Sequence, residues 1–224
     1  MLLLEKLIGL YAPLSCLGCG AEQDTLICTE CSLTIPLVPS RCYRCRAVTR
    51  DFEVCTRCQR HTPLKTVLVC RHYDALPKEL LHAAKYERAR SGLREMGAEM
   101  TSLFSSAHND TVFVPIPTAT SRVRQRGYDQ AVVLATELGK ERQRPVVQAL
   151  VRLGQAHQVG AGRKERMEHL REAFRVTHKQ DIRGKQCVLV DDVVTTGATI
   201  ETAARILKKA GAKQVDAVIY CQAD

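Results

Sequence analysis

"VLVDDVVTTGAT", Val188 to Thr199, is the stretch on which the reading of this chain turns. Val188-Leu189-Val190 has the unbroken apolar character of a strand covered on both faces, as in parallel sheets. Two acids, Asp191 and Asp192, follow at its carboxyl end, and a bend through Thr195-Thr196-Gly197 leads into a helix starting near Thr199. Ligands of open α/β sheets bind outside the carboxyl ends of the strands. A helix N-terminus presents unpaired N–H groups and a partial positive charge, which suit a phosphate. Gly197 lets the backbone come close, and Thr195, Thr196 and Thr199 add hydroxyl donors. The two acids would repel a phosphate, but each accepts hydrogen bonds well from a sugar diol. The stretch therefore predicts a phosphate and a sugar bound together, as in ribose 5-phosphate. A purely structural acidic pair would be costly to bury unpaired, and a metal on the two acids leaves the threonine bend unexplained. Neither GxxxxGK[ST] nor a GxGxxG after a strand occurs, so P-loop and dinucleotide folds are not indicated.

Outward from this stretch, apolar runs and helical periodicities alternate. Strands are predicted over 66–74, 111–117, 144–151, 173–177, 186–192 and 214–221. Helices are predicted over 77–104, over 127–142 with Ala131, Leu134, Ala135 and Leu138 on one face, and over 198–211. The last buries Ile200, Ala203, Ala204 and Leu207 and is ended by Gly211. Such alternation predicts an α/β fold with a mostly parallel sheet flanked by helices.

The first 58 residues differ in kind: eight of the eleven cysteines form four CxxC pairs there, Cys16/Cys19, Cys28/Cys31, Cys42/Cys45 and Cys55/Cys58. Two thiolates three positions apart on a tight turn face one ion, and two such pairs complete a tetrahedral zinc site with no open position. Gly18 and Gly20 in "SCLGCG" allow the positive φ that such turns often need. The spacing favours two sequential structural Zn2+ ribbons, first pair with second and third with fourth; a cross-braced pairing is the alternative. Disulfides are disfavoured because no export signal is present. A segment this small would draw most of its folding free energy from the metal. Its second half carries Arg41, Arg44, Arg46, Arg50, Arg57 and Arg60 around Tyr43 and Phe52. That mixture fits stacking on single-stranded nucleic acid and fits a solvated basic surface equally. Cys70, Cys187 and Cys221 lie in apolar runs and read as buried core thiols.

The net charge is +9, with +2 in residues 1–70 and +7 in the remainder. The excess favours polyanionic partners or phosphorylated ligands. No stretch reaches membrane-spanning length, so a cytoplasmic protein without membrane insertion is expected, with residues 2–10 as a short amphipathic helix. The domain expectation is a double zinc ribbon over 1–67 and an α/β domain over 68–224.

Residues 188–199 resemble the phosphoribosyl pyrophosphate (PRPP) signature of type I phosphoribosyltransferases. The chain as a whole, cysteine pairs included, resembles the ComF family of competence proteins. The resemblance is carried by Tyr73, by "HAAKY" with Lys85-Tyr86, by "VPIPTATSRVRQRGYDQA" and by the PRPP stretch. It implies a type I phosphoribosyltransferase-like domain with an N-terminal double zinc-ribbon module. It also implies PRPP contacts from Asp191, Asp192, Val193, Thr195, Thr196, Gly197, Ala198 and Thr199, from the pyrophosphate loop at Pro117-Thr118-Ala119, and from Lys85. Asp191 and Asp192 are the candidate catalytic pair. Arg122, Arg124 and Arg126 would lie on an adjoining mobile segment, the latter two toward the diphosphate. Mg2+ would accompany PRPP. The family pattern T-x-x-Q-x-x-L…R-x-x-N is matched only at Gln158 and Arg166; Gln155, Ala161 and His169 depart from it. The resemblance further implies a part in natural transformation, handling single-stranded DNA beside a ComFA-type helicase; the +7 excess and the basic run at Arg163, Lys164 and Arg166, with Arg122, are the candidate nucleic-acid contacts. A working transferase with an unread acceptor is the alternative, and PRPP as an effector that gates DNA or partner contacts is a third.

Overall fold

The computed structural model describes residues 14–86, 90–104, 109–153 and 173–223. The expected helix at 2–10, and Gln155, Gln158, Ala161, Arg163, Lys164, Arg166 and His169, lie outside them.

Two cysteine knuckles open the described chain. In the first, β1 (Leu14–Ser15) pairs antiparallel with β2 (Glu22–Gln23), and α1 (Thr29–Thr34) follows. Cys16 N donates to Ala21 O and Gly20 N to Cys16 O, both at 2.8 Å. The second knuckle repeats the pattern: Cys42 N donates to Ala47 O at 2.8 Å and Arg46 N to Cys42 O at 2.9 Å. The residue after each second cysteine is left-handed, with φ 75° at Gly20 and 62° at Arg46. Gly18 serves a different need from the one expected of it. A Cβ there would stand 2.7 Å from Cys31 Sγ, so the position is glycine for space. Helix α2 (Thr56–Gln59) closes the second ribbon, and a bridge from Glu53 to Thr66 joins it to the main sheet.

That sheet has four strands: β3 (Leu64–His72), β4 (Thr111–Pro115), β7 (Gln186–Val194) and β8 (Gln214–Gln222), all parallel, in the order β3-β8-β7-β4. Parallel neighbours need crossovers, and helices supply them. These are α3 (Ala75–Tyr86), α4 (Arg90–Leu103), α5 (Thr120–Arg126), α6 (Gln130–Arg142), α7 (Lys179–Ile182) and α8 (Ala198–Lys209). Two runs expected in the parallel sheet are elsewhere. From 144–151 only Val146 bridges to Phe113, with Val147 N donating to Phe113 O; Pro145 beside it has no N–H to give. The run then continues as β5 (Leu150–Arg152), which pairs antiparallel with β6 (Phe174–Val176) in a separate ribbon.

Each face of the sheet carries its own core. On one, Ile200, Ala203, Ala204 and Leu207 of α8 pack with Val215, Ala217 and Ile219, and the second ribbon's Val38, Cys42, Tyr43, Val54 and Cys58 join them. Ile200 and Leu207 are almost wholly buried, worth about 1.5–3 kcal/mol apiece. On the other face, Leu134, Ala135 and Leu138 of α6 and Leu93, Met96 and Met100 of α4 meet Val188, Val190, Val218 and Tyr220. Cys70, Cys187 and Cys221 are buried in the sheet, as their runs predict. Ala210 is the C-cap of helix α8, and Gly211 follows at φ 101°, the left-handed residue that stops it.

The first ribbon packs on α4 through Leu26 and Ile27 and is hydrogen-bonded to it by Glu95, which accepts from Leu26 N at 2.7 Å and Ile27 N at 3.1 Å. Glu95→Ala would strand both donors beside a buried contact. It is expected to cost about 1–3 kcal/mol, measurable as a lower urea midpoint with an unchanged slope.

Candidate functional site

The crevice of this sheet opens where β4 stops. Pro115 pairs with Val190, Ile116 N donates to Val190 O at 3.0 Å, and the chain then turns away through 117–119. Strand β7 does not stop there. It runs on through Asp191 and Asp192 to Val194, with Asp191 opposite Ile219, Val193 opposite Cys221 and Val194 opposite Gln222 on β8. The two acids therefore lie inside the strand and not at its end, because β8 is long enough to keep pairing. The edge of β7 that faced β4 is left open over these residues, so the acids border a gap in the sheet.

Asp192 is buried, with its Oδ2 2.6 Å from Lys85 Nζ of α3 and 3.3 Å from Gln130 Nε2 of α6. Asp191 is half-buried, and its Oδ1 accepts from Asp192 N at 2.9 Å. Burial, then the neighbouring Asp192 charge, raise its pKa well above the ordinary carboxylate range. The pair thus has unlike environments: Asp192 is matched by an ammonium, while Asp191 lies beside a second carboxylate.

On the far side of the gap, Pro117, Thr118 and Ala119 are half-buried. Thr118 N and Oγ1 donate to the Asp129 carboxylate at 2.9 and 3.0 Å, and Asp129 also caps α6 through Ala131 N at 3.1 Å. One N-cap aspartate fixes the loop, and the next residue, Gln130, reaches Asp192. The segment expected to be mobile is helix α5, ended by left-handed Gly127 at φ 82°. Its arginines diverge: Arg122 and Arg124 are exposed and Arg126 is buried.

Beyond Val194 the bend exposes Thr195 and Thr196, buries Gly197 and half-buries Ala198 and Thr199. Gly197 is the N-cap of α8 at φ 81°, and no side chain caps the helix. Ala198 N has a long 3.4 Å contact to Thr196 Oγ1. This leaves a helix N-terminus at the crevice to meet an anion with backbone N–H groups. The structure brings Asp191, Asp192, Lys85 and the bend to one end of the sheet, with the 117–119 loop across the gap.

The cysteines form two sets, Cys16/Cys19/Cys28/Cys31 and Cys42/Cys45/Cys55/Cys58, each with its sulfurs within 4.8 Å of one another. The sequential pairing is the one found; the cross-braced alternative is not. Sulfurs bound tetrahedrally at about 2.3 Å lie near 3.8 Å apart, and the Cys19–Cys28 and Cys45–Cys55 pairs stand at 3.8 and 3.6 Å. Backbone N–H groups of Cys28 and Gly18 point at Cys16 Sγ at 3.3 and 3.4 Å. Hydrogen bonding from Cys28 N, foremost, lowers the Cys16 pKa to about 6, toward the thiolate a metal needs. Both sets fit a structural zinc ion.

Sequence reasoning missed Asp129, Gln130 and Glu201, and read Arg44 only as part of a basic surface. The Asp-Gln signal was present as an N-cap ahead of a helical run; the others become visible only through tertiary contact. Tyr43 was read as an exposed aromatic and is 3% exposed, with its hydroxyl 2.9 Å from Glu201 Oε1. Phe52 is half-buried against the same core. Among the described residues no helix is long and apolar enough to cross a membrane.

Comparison with known proteins places the domain in a family. The phosphoribosyl transferase domain family matches residues 90–223. Competence protein ComFC of Bacillus subtilis (strain 168) is 29% identical over 85% of this chain and 81% of its own length. Competence protein ComFC of Streptococcus pneumoniae is 26% identical over 87% and 86%, and DNA utilization protein YhgH of Escherichia coli (strain K12) is 25% identical over 88% and 90%. These matches cover most of this chain, in accord with the ComF resemblance. From its matched domain and the crevice that domain builds, the chain belongs to the phosphoribosyl transferase domain family.

Proposed function

We propose that this chain binds PRPP with Mg2+ in the crevice at 117–119 and 191–199, and that it does so as a competence-type protein handling single-stranded DNA. The observation that carries the PRPP reading is the placement of two adjacent acids on an open strand edge, one bend before an uncapped helix N-terminus. Asp191 and Asp192 accept from the ribose hydroxyls, and Thr195 to Thr199, with Val193 ahead of them, surround the 5′-phosphate. Pro117 and Thr118 line the diphosphate, and the Lys85 ammonium faces it from Asp192. Mg2+, held mainly by the bound diphosphate, would supply charge that offsets its negative oxygens. Arg124 and Arg126 stand on the helix after the loop, so Arg124, exposed, has the freer reach to diphosphate oxygens. The DNA part rests on the +7 excess of residues 71–224 and on what the relatives' names say of those proteins. A ComFA-type helicase is the partner such a role implies.

A working transferase is the second reading, favoured by Lys85 on Asp192: an ammonium at the sugar can meet the diphosphate as it leaves the anomeric carbon. Titration with PRPP and Mg2+, with and without single-stranded DNA, tests both. Saturable binding without turnover, beside DNA retention that falls steeply with salt, marks the binding protein. Turnover stimulated by one acceptor marks the enzyme, and heat-silent titration with PRPP refutes both.

The raised Asp191 pKa sets a pH dependence. Ribose hydroxyls donate to the charged carboxylate, so binding favours deprotonation. Affinity is expected to rise with pH until Asp191 is ionised in the free protein, with a proton released per PRPP below that point. Calorimetry in buffers of unlike ionisation enthalpy reads that proton. Stability runs the other way. A carboxyl with a raised folded pKa contributes stability below its unfolded pKa and loses it as pH climbs through the folded value.

A further inference from the structure

The zinc ribbon and the phosphate bend touch. Tyr43 lies inside the second knuckle, between Cys42 and Cys45, and its backbone O accepts from Gln222 Nε2 at 3.0 Å. Gln222 is paired with Val194, the last residue before the bend. The ring covers Gly197: a Cβ at that glycine would stand 2.5 Å from Tyr43 Cε2. Gly197 is thus glycine for its φ of 81° and also because its open side is filled by an aromatic ring, not by ligand.

The same knuckle controls a charge. Glu201 sits buried in the first turn of α8, where a carboxylate opposes an incoming phosphate. The Tyr43 hydroxyl donates to its Oε1 at 2.9 Å, Arg44 Nε stands 2.9 Å from Oε1, and Arg205 Nη2 stands 3.0 Å from Oε2. Arg205 Nη2 also donates to His61 O at 2.8 Å, a second tie between ribbon and helix.

We propose that Tyr43 and Arg44 are positioning residues for the 5′-phosphate bend: the ring holds Gly197 in its left-handed turn, and the phenol and guanidinium offset Glu201. This rests on the pentose-phosphate reading above. Neither side chain is needed by the diphosphate half of the site, since the 117–119 loop is held by Asp129. A contact that merely glues the ribbon to the domain would lower both halves together. The positioning role predicts a split.

Calorimetric titration of the full chain with ribose 5-phosphate, and separately with inorganic pyrophosphate, each with Mg2+, reads the split. Tyr43→Ala and Tyr43→Leu are expected to weaken ribose 5-phosphate about tenfold or more, with pyrophosphate held within about twofold; Tyr43→Phe, which keeps the ring, recovers most of the loss. Unchanged ribose 5-phosphate affinity, or equal losses for both ligands, overturns the proposal. Should neither ring-removing variant fold, Arg44→Gln decides: it must weaken ribose 5-phosphate alone, and any other result overturns the proposal. Wild-type protein that binds neither ligand refutes the pentose-phosphate reading and this proposal with it. Wild-type binding that the variants leave untouched refutes only the latter.

Discussion

Asp192→Asn is expected to weaken PRPP by about 5- to 30-fold, as calorimetry in Mg2+ would read it. An asparagine keeps the shape and the Gln130 contact but offers a neutral acceptor where a charged one stood. Exchanging a charge-assisted hydrogen bond for a neutral one costs about 1–2 kcal/mol. The Lys85 ammonium, 2.6 Å from Oδ2 in the native protein, would also lose its partner. The side chains of Lys85 and Asp192 are 19% and 12% exposed, so the orphaned charge weakens the fold as well. Lys85→Met combined with Asp192→Asn removes the orphaned charge, so stability should recover, while PRPP affinity falls further because Lys85 also faces the diphosphate. Full PRPP affinity in Asp192→Asn would remove the acids from the sugar site.

Cys42→Ser should be the most damaging single change to the fold. Cys42 is fully buried, and its cluster lies in the same core as Ile200 and Leu207 of α8. A structural four-thiolate zinc is worth about 10–16 kcal/mol at neutral pH, as much as the entire stability of an ordinary domain. Losing one thiolate strips most of that. Zinc per chain, by elemental analysis, is expected to fall from two to one, with a melting temperature lower by more than about 10 °C if the protein stays soluble. Cys70→Ser, a buried thiol outside both clusters, should leave the zinc content alone. One zinc ion per chain already in the wild-type protein would show that only one of the two clusters is a metal site.

What could be read from the sequence follows from the range of the forces involved. The runs around Val188 and Val215, and the α8 face at Ile200, Ala203, Ala204 and Leu207, are local patterns large enough to decide their own structure. The cysteine spacing is also local, and it set the sequential pairing. Side chains that act across the fold were not legible. Nothing near Lys85 in the chain says that it meets Asp192. Nothing near Tyr43 says that it turns inward, because Gly197 and Glu201, the residues that bury it, come more than 150 positions later. Short apolar runs were ambiguous for a related reason. The stretch 144–151 has strand character, but whether it joins the large sheet or the β5–β6 ribbon depends on which partner edge has free N–H and C=O groups. Asp129 was a missed opportunity: an aspartate ahead of a helical run is an N-cap by its own chemistry, and here the same carboxylate also anchors the loop at Thr118.

Strand β8 lies between β3 and β7, so residues 64–72 have no partner in the sheet until residues 214–222 have left the ribosome. Until then the nascent polypeptide carries two naked strand margins, the kind of surface that recruits other chains. The cysteine knuckles emerge long before that moment and can take up their metal first. A folded, charged cap beside β3 would then shield one of those margins during synthesis, and zinc supply would set how often that shield is in place.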